Sequence, residues 1–329
     1  MWAALIQTCG APSVVTTRRP PEQPDGTALV AVTAAPITPL DVLCATGISY
    51  FGAPAVPYVP GIQGVGIVRC SAAVPVGTVV WFATDAGMRP GDGSMAELCA
   101  VPDAELVPLP NGVDQPLAAA LGLSAVAAWR ALTWRGEMLA GEQVLVLGAG
   151  GVVGQVAVQA ARLHGARRVV AACRSRSGRQ RAHRLGADAV VGLTDADDVG
   201  TLTSRLLDAC DGPVDLVLDA LCGVPAAAAL RTLRPRGRLV NLGSSAGETA
   251  PFDSATLRSR SLRVLGYTNN ELTAEQRMRA LGTIVQHAVA GRIEVAYKPV
   301  PLTDAATAWA RQAAGQASRR IVLTTTTSP

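Results

Sequence analysis

The sequence predicts an α/β protein with two domains, one mostly of β-strands and one built around a doubly wound parallel sheet. Short β-branched runs such as Ala28–Thr33 and Gly77–Phe82 lie between proline and glycine turns in residues 1–120, which indicates a compact, mostly antiparallel β domain. In residues 121–267, strand patterns alternate with helical patterns, as in a parallel sheet covered by helices. We expect the final segment, residues 268–329, to return to the first domain.

The predicted elements of the second domain alternate along the chain. The predicted strands are Gln143–Leu147, Arg168–Cys173, Ala189–Gly192, Val214–Asp219 and Arg238–Gly243, and the predicted helices are a run from Gly154 to Leu163, then Ser177–Leu185 and Ala226–Leu233. The returning segment is predicted to form a helix at Ala274–Ala290, a strand at Ile293–Pro299, a helix at Asp304–Ala314 and a strand at Arg320–Thr324. The polar tail Thr324–Pro329 is expected to be frayed.

Length and composition are typical of a globular protein. The chain has 329 residues, of which 49% are hydrophobic and 16% are charged, so it can bury two cores and lacks the composition of a disordered chain. The net charge is only +4, and no long basic run is interleaved with aromatic residues. We therefore expect no nucleic-acid partner.

The sequence carries no signal for export or for a membrane. No basic region is followed by a long apolar run near residue 1, and no segment offers about 18 uninterrupted apolar residues. Seven cysteines are scattered without a C-x-x-C pair, which argues against a disulfide framework. We therefore expect a cytoplasmic protein with reduced thiols and no membrane partner.

A cluster of glycines follows the first predicted strand of the second domain and precedes a helix. Bare backbone at such a turn lets a pyrophosphate approach the amide groups at the positive end of the helix. Glycines also serve tight turns, but the order of strand, turn, helix and second strand favours a dinucleotide site. The residues predicted to contact the dinucleotide at this turn are Gly148, Gly150, Gly151, Val152, Val153 and Gly154.

Arginine occupies the position that usually selects between the two nicotinamide dinucleotides. Arg174 lies about 20 residues beyond the last glycine, at the end of the next strand, where NAD-binding proteins usually place a carboxylate for the ribose diol. With Ser175, Arg176 and Arg179 nearby, it predicts a 2′-phosphate site and hence NADPH as the cofactor. The alternative is that these arginines and Arg181 form a solvated basic face.

The order of motifs along the chain resembles that of the medium-chain dehydrogenase/reductase superfamily. The matching segments are Asp41–Gly47, Val59–Gly66, Gly93–Glu97, Leu121–Ala125, the glycine turn, Leu233–Val240 and Arg320–Leu323. Within the superfamily, the chain resembles the zinc-free quinone oxidoreductase and enoyl reductase branch. The resemblance implies a GroES-like, mostly-β catalytic domain that is split around an inserted Rossmann domain, and a homodimer in which the strand at Leu262–Tyr267 pairs across a twofold axis.

The resemblance also implies where a catalytic zinc ion would be held in the alcohol dehydrogenase relatives. Those relatives have a cysteine where this chain has Thr38, and a His-Glu pair where it has Ile62 and Gln63. Because no histidine precedes His164, the first domain lacks the usual sulfur and imidazole ligands. We therefore expect no metal.

Without a Lewis acid, hydride transfer needs an acceptor carbon that is already electron-poor. The sequence therefore predicts an NADPH-dependent reductase of a small enone, an enoyl thioester or a quinone. Tyr50 resembles a tyrosine that follows the same motif in enoyl reductases and is the predicted proton donor, with Ser49 as a weaker candidate. A catalytically idle NADPH-binding sensor is the alternative from a different functional class.

The remaining site residues are carried over from the resemblance. Ser124 and the segment Gly243, Ser244 and Ser245 are expected to contact the cofactor, the latter because it follows a strand at the carboxyl edge of the sheet. Thr38, Asp41 and Phe51 are expected to line the substrate site. Asp41 is further expected to fix the loop around Thr38 by hydrogen bonds.

Overall fold

Antiparallel strands fill the N-terminal part of the chain, as the β-branched runs predict. The computed structural model describes residues 1–325. The elements of this part are β1 (Trp2–Leu5), β2 (Val14–Thr17), β3 (Thr27–Pro36), α1 (Pro39–Thr46), β4 (Gln63–Cys70), β5 (Val79–Ala83), β6 (Leu98–Pro102) and β7 (Leu106–Pro108). β3 pairs with β4 and β6, and β4 pairs with β5, all antiparallel. Alternate side chains of these strands, such as Val30, Val80 and Phe82, are fully buried in one hydrophobic core.

A helix connects this part to the next and is interrupted. The helix α2 (Gln115–Arg130) contains a non-helical residue, Gly122, and is followed by a short π-helix at Ala131–Arg135. The stretch Gln115–Arg135 is long and apolar enough to cross a membrane, and it is the one such helix within residues 1–325. More than half of its most apolar part is buried inside the structure, as in the core helices of water-soluble proteins.

Strands and helices then alternate through the middle of the chain. The strands are β8 (Gln143–Leu147), β9 (Arg168–Cys173), β10 (Ala189–Gly192), β11 (Val214–Asp219), β12 (Leu233–Asn241) and β13 (Arg263–Gly266), and the helices are α3 (Val152–Leu163), α4 (Arg176–Arg184), α5 (Val199–Ala209), α6 (Gly223–Leu230) and α7 (Ser254–Ser259). The strands form one sheet in the order β10-β9-β8-β11-β12-β13, and every neighbouring pair is parallel. This is the doubly wound order, and ligands bind such sheets at the carboxyl edge where the order reverses.

The returning segment completes the sheet of the N-terminal part. It consists of α8 (Ala274–Val289), β14 (Tyr297–Pro301), α9 (Ala305–Ala313) and β15 (Arg320–Thr324). β15 pairs antiparallel with the end of β3 and parallel with β14, and α9 buries Trp309 in the same core. The predicted α/β fold, with a mostly-β domain split around a parallel-sheet domain, is confirmed.

The chain divides into two compact units. The first unit is Met1–Leu123, Ala274–Val289 and the residues from Val295 onward, and the second is Ser124–Thr273 with Ala290–Glu294. The domain boundaries predicted from the sequence, at residues 120 and 267, lie a few residues before the ends of these units at Leu123 and Thr273. The predicted domain limits themselves stay a prediction.

Several elements differ from the sequence prediction for identifiable reasons. The helices α1, α5 and α7 were not predicted, and each begins at a capping residue (Thr38, Asp198 and Asp253) that accepts a backbone hydrogen bond. β12 begins at Leu233, five residues before the predicted start, and its pairing with β11 shifts register at an irregularity between Leu233 and Arg238 that includes Pro235 and Gly237. β15 has the predicted limits, Arg320–Thr324, so Thr324 belongs to the strand and not to the frayed tail that was expected to begin there; residues 326–329 of that tail lie outside the described residues.

Candidate functional site

The glycine turn lies between β8 and α3 in the second unit. Gly148 has φ +81°, and the amides of Gly148 and Ala149 both donate to the carbonyl of Ala172 on β9, at 2.9 and 3.1 Å. Gly151 is the residue before α3, and no side chain caps the helix there. The first turn of α3 therefore presents its amides without a competing side chain, as an anion site requires.

The glycines of this turn have different steric roles. A Cβ built on Gly154 would overlap the carbonyl oxygen of Gly148 and lie 2.5 Å from the Cα of Ala149, so α3 packs too closely on the turn for any other residue. A Cβ on Gly151 would meet only the Gly148 oxygen, at 3.6 Å, and one on Gly150 would meet nothing closer than 3.7 Å. The space beside Gly150 and Gly151 is therefore open to a ligand.

The arginines predicted to bind a 2′-phosphate follow β9, the strand beside β8. Arg174 and Arg176 are exposed, and the Arg174 guanidinium lies 3.8 Å from the Asp195 carboxylate. Ser175 caps α4, because its hydroxyl accepts the Gly178 amide at 3.0 Å. Arg179 is half-buried and donates to the Arg174 carbonyl oxygen at 2.5 Å, so it supports the backbone that carries Arg174.

A buried carboxylate organises the neighbouring strand ends, and sequence reasoning missed it. Asp219 ends β11 with no exposed surface, and its Oδ1 accepts the amides of Leu221 and Cys222, both at 2.9 Å. Its Oδ2 accepts the side-chain amide of Asn241, the last residue of β12, at 2.8 Å. Burial raises the pKa of Asp219, and these hydrogen bonds oppose the rise. The sequence signal that could have identified Asp219 was an acidic residue at the end of an apolar strand.

The predicted segment after β12 is held against the loop after β11. Ser245 donates to the Ala220 carbonyl oxygen at 3.1 Å, and Ser244 donates to Glu248 at 2.7 Å. A Cβ on Gly243 would lie 2.9 Å from the same Ala220 oxygen. The carboxyl ends of β9, β8, β11 and β12 thus bring together the glycine turn, the arginines and residues 243–245 at one edge of the parallel sheet.

In the first unit, Thr38 and Asp41 are fastened to each other. They form a capping box at the start of α1: the Thr38 amide and hydroxyl both donate to Asp41 Oδ2, at 2.8 and 2.6 Å, and the Asp41 amide donates to the Thr38 hydroxyl. Asp41 Oδ1 accepts the Ile62 amide at 2.9 Å. Asp41 thus fixes the loop around Thr38 as expected, while the substrate-lining role of both residues remains a prediction.

Arg320 lies close enough to Asp41 to interact with its charge, and the sequence did not single it out. The guanidinium donates to the Ile37 carbonyl oxygen at 2.9 Å. Burial lowers the pKa of Arg320 to about 10, and the charge of Asp41 opposes that shift. Burial conversely raises the pKa of Asp41. This rise is opposed by the hydrogen bonds of Asp41 with Thr38 and Ile62 and by the charge of Arg320. The sequence signal that could have identified Arg320 was a charged residue at the start of the otherwise uncharged strand β15.

The two predicted acid catalysts occupy different environments in the loop after α1. Tyr50 is 77% exposed, and its ring lies 4.2 Å from that of Phe51, centroid to centroid. Ser49 is only 8% exposed and donates to the Gly52 carbonyl oxygen at 3.3 Å. The Tyr50 hydroxyl is thus accessible in the first unit, whereas that of Ser49 is engaged within its own loop. Their catalytic roles remain predictions.

The positions of the zinc ligands of the relatives hold side chains with other tasks. The Thr38 hydroxyl belongs to the capping box, Ile62 has no ligand atom, and the Gln63 side chain accepts the Leu123 amide. Within residues 1–325, no group of three or more His, Cys, Asp and Glu side chains is placed to hold a metal ion.

Two protein families match successive parts of this chain. Residues 24–111 match the alcohol dehydrogenase GroES-like domain, and residues 152–285 match the family described as zinc-binding dehydrogenase. The two matches together cover more than half of the chain. The chain belongs to the medium-chain dehydrogenase/reductase superfamily. The predicted resemblance to this superfamily, and to its quinone oxidoreductase branch, is confirmed.

Individual members of the superfamily are similar over most of the chain. Mouse quinone oxidoreductase is 28% identical over 262 residues, which are 78% of this chain and 76% of that protein. The quinone oxidoreductase of Thermus thermophilus, solved also in complex with NADPH, is 28% identical with a TM-score of 0.82, and the match covers 98% of this chain and 100% of that one.

A polyketide synthase contains a similar segment. One chain of the phenolphthiocerol/phthiocerol polyketide synthase of Mycobacterium tuberculosis is 30% identical over 227 residues, which are 66% of this chain. The match spans only about a tenth of that synthase chain.

Proposed function

We propose that this member of the medium-chain dehydrogenase/reductase superfamily is an NADPH-dependent oxidoreductase that reduces a quinone or an activated C=C bond. The observation that carries the proposal is the pairing of an open glycine turn after β8 with exposed arginines after the adjacent strand β9. The NADPH complex of the similar Thermus thermophilus enzyme supports the choice of cofactor.

The residues at the sheet edge fit NADPH. The uncapped first turn of α3 and the open space beside Gly150 and Gly151 suit the pyrophosphate, and Arg174 and Arg176 suit the 2′-phosphate. Residues 243–245 and Ser124 would contact the nicotinamide half. NADPH, when bound, supplies a hydride, and the chain's own residues hold and orient the dinucleotide.

The residues of the first unit do not fit a catalytic zinc ion. Thr38 and Gln63 use their polar atoms in hydrogen bonds within the fold, and Ile62 offers none. Zinc prefers thiolate, imidazole and carboxylate ligands, which these three positions lack. The proposed reaction therefore depends on an acceptor that needs no Lewis acid, such as a quinone, an enone or an enoyl thioester.

Tyr50 is the proposed acid for an alkene acceptor. Hydride addition to the β-carbon of an enone leaves a carbanion at the α-carbon that must take a proton. The exposed Tyr50 hydroxyl can hold that proton, and the Phe51 ring packs beside the Tyr50 ring at a tilt of 38°. A quinone takes its protons on oxygen, where water suffices, so Tyr50 matters less for that acceptor.

The choice of acceptor decides the function and is measured directly. NADPH oxidation is followed with small 1,2- and 1,4-quinones, with small enones and with enoyl thioesters, each with and without prior treatment with a zinc chelator. We expect turnover with at least one class and no effect of chelation. Activity lost on chelation and restored by zinc would contradict the metal-free mechanism, and NADPH binding without turnover would indicate the sensor.

Enoyl reduction is the second candidate, because a polyketide synthase contains a segment similar to this chain. Quinone reduction is favoured because the matches to quinone oxidoreductases cover a greater share of this chain and of each relative.

We further propose that the protein works in the cytoplasm, since every cysteine in the described part of the chain is a free thiol.

A homodimer is the proposed assembly. β13 lies at one end of the second unit's sheet, and its Val264 is 42% exposed, so pairing with a second copy would cover an apolar edge. Light scattering of Val264→Lys should give the mass of a monomer. Val190→Lys, on the strand at the opposite end of the sheet, should leave the dimer intact. A monomeric wild-type protein would overturn this proposal alone.

A further inference from the structure

The break in helix α2 is built around one residue. Gly122 has φ +34° and ψ −135°, which strains any residue with a Cβ. A Cβ at this position would also overlap the side-chain oxygen of Gln63. The helix thus has two halves, and the second begins at Leu123, one residue before the boundary of the second unit.

The Gln63 side chain occupies the place of the hydrogen bond that the break removes. In an unbroken helix the Leu123 amide would donate to the Ala119 carbonyl oxygen, four residues earlier. Here the Leu123 amide donates to Gln63 Oε1 at 2.5 Å, and Gln63 Nε2 donates to the Ala119 oxygen at 3.4 Å. The carboxamide is fully buried and inserted into the helix, which is a recognised cause of a kink.

We propose that Gln63 is a positioning residue for the cofactor, because its carboxamide fixes the start of the helix that carries Ser124. The inference rests on the proposed function, which assigns Ser124 to the cofactor site. Ser124 follows Leu123 directly, so a shift of the Leu123 amide moves the Ser124 backbone and hydroxyl with it.

The chemistry of residue 63 is specific. A carboxamide both donates and accepts, so it satisfies Ala119 and Leu123 together, whereas a methionine of similar size does neither and a carboxylate only accepts. A protonated glutamic acid would again do both. Because burial raises the pKa of a carboxyl group, the Gln63→Glu variant should keep its proton at low pH and lose it as the pH rises.

The test compares Gln63→Met and Gln63→Glu with a control in the same pocket. Ser94 is also fully buried and donates to the main-chain oxygen of Gln63, so Ser94→Ala removes a buried hydrogen bond but spares the carboxamide. Dissociation constants for NADPH and NADH, the melting temperature, and kcat and KM with a quinone are measured for each protein.

We expect Gln63→Met to weaken NADPH and NADH equally, by about tenfold, with kcat little changed. Ser94→Ala should lower the melting temperature without weakening either dinucleotide. Relative to wild type, Gln63→Glu should bind NADPH normally at pH 6 and progressively less well towards pH 9.

Unchanged dinucleotide affinity in a folded Gln63→Met protein would overturn the inference. If that variant does not fold, a pH series for Gln63→Glu that runs parallel to wild type overturns it instead. Failure of the proposed function is a separate result, because it is measured on the wild-type protein, which would then either bind no NADPH or bind it without turnover.

Discussion

Arg174 occupies the position at which a carboxylate would favour NADH. In the Arg174→Ser variant, the lost charge-assisted hydrogen bond should raise KM for NADPH by about tenfold or more and leave KM for NADH unchanged. Steady-state kinetics with both dinucleotides and one quinone measures this. Arg184→Ser removes the same charge from the far end of α4 and is the control. Unchanged KM values for both dinucleotides would mean that Arg174 belongs to a solvated basic face, and an equal loss with NADH would mean that it contacts a part of the cofactor other than the 2′-phosphate.

Tyr50 and Ser49 are adjacent residues that an acceptor comparison separates. Tyr50→Phe should lower kcat for an enone by about a hundredfold, since general acid catalysis contributes at least that much, and should change quinone reduction only a few-fold. Ser49→Ala should be close to wild type with both acceptors, because its hydroxyl bonds to Gly52. A Tyr50→Phe enzyme with normal enone reduction would remove Tyr50 from the mechanism.

Residue type and spacing along the sequence predicted candidate ligand-binding residues, but they did not identify the residues that hold other residues in place. Gly154 and Arg174 follow from a recognisable spacing of strand, turn and helix. Asp219 and Gln63 act through partners distant in sequence, such as Asn241 and Leu123, and only the folded chain brings these together. The residues next to Asp219 and Gln63 in the sequence form no pattern that would identify these hydrogen-bond partners.

At the scale of an element, the glycine turn allows close packing to be separated from ligand access. Gly154→Ala places a methyl group against the turn and should cost about 1–3 kcal/mol of stability as well as NADPH affinity. Gly151→Ala meets only one atom, at 3.6 Å, so it should keep the stability of wild type and lose affinity alone. Urea unfolding and NADPH titration of both variants check this. Normal NADPH binding by Gly151→Ala would place the pyrophosphate elsewhere.

Elements were predictable where local pattern and tertiary environment agree. β8, β9, β10 and β11 have the predicted limits, because each is an apolar run bounded by turn residues. The break in α2 was not predictable, since a lone glycine in an apolar helix gives no sign of the side chain that inserts beside it. The limits of β12 were obscured in the same way by its internal proline and glycine.

For the whole molecule, a buried thiol makes the free energy of unfolding decrease with rising pH in the alkaline range. Cys99 is 2% exposed, and burial raises its pKa to about 12. Because the folded-state pKa lies above the unfolded value of about 8.5, the stabilisation is complete below that pH and is lost as the pH rises towards 12.

Between pH 8.5 and 10.5, the wild-type protein should therefore lose about 2 kcal/mol of unfolding free energy relative to Cys99→Ala. Urea denaturation at several pH values measures the difference. Cys70→Ala, which removes an exposed thiol, should follow wild type throughout. Parallel pH dependence of Cys99→Ala and wild type would show that Cys99 ionises alike in both states.

The pairing of β15 with the end of β3 also fixes an order of events during translation. At about 5–20 residues per second, roughly 15 s to 1 min separates synthesis of these two strands, and the whole parallel sheet is made in between. Until β15 emerges, residues 34–36 of β3 lack its backbone partners, so this edge of the nascent chain is open to pairing with a strand of another molecule.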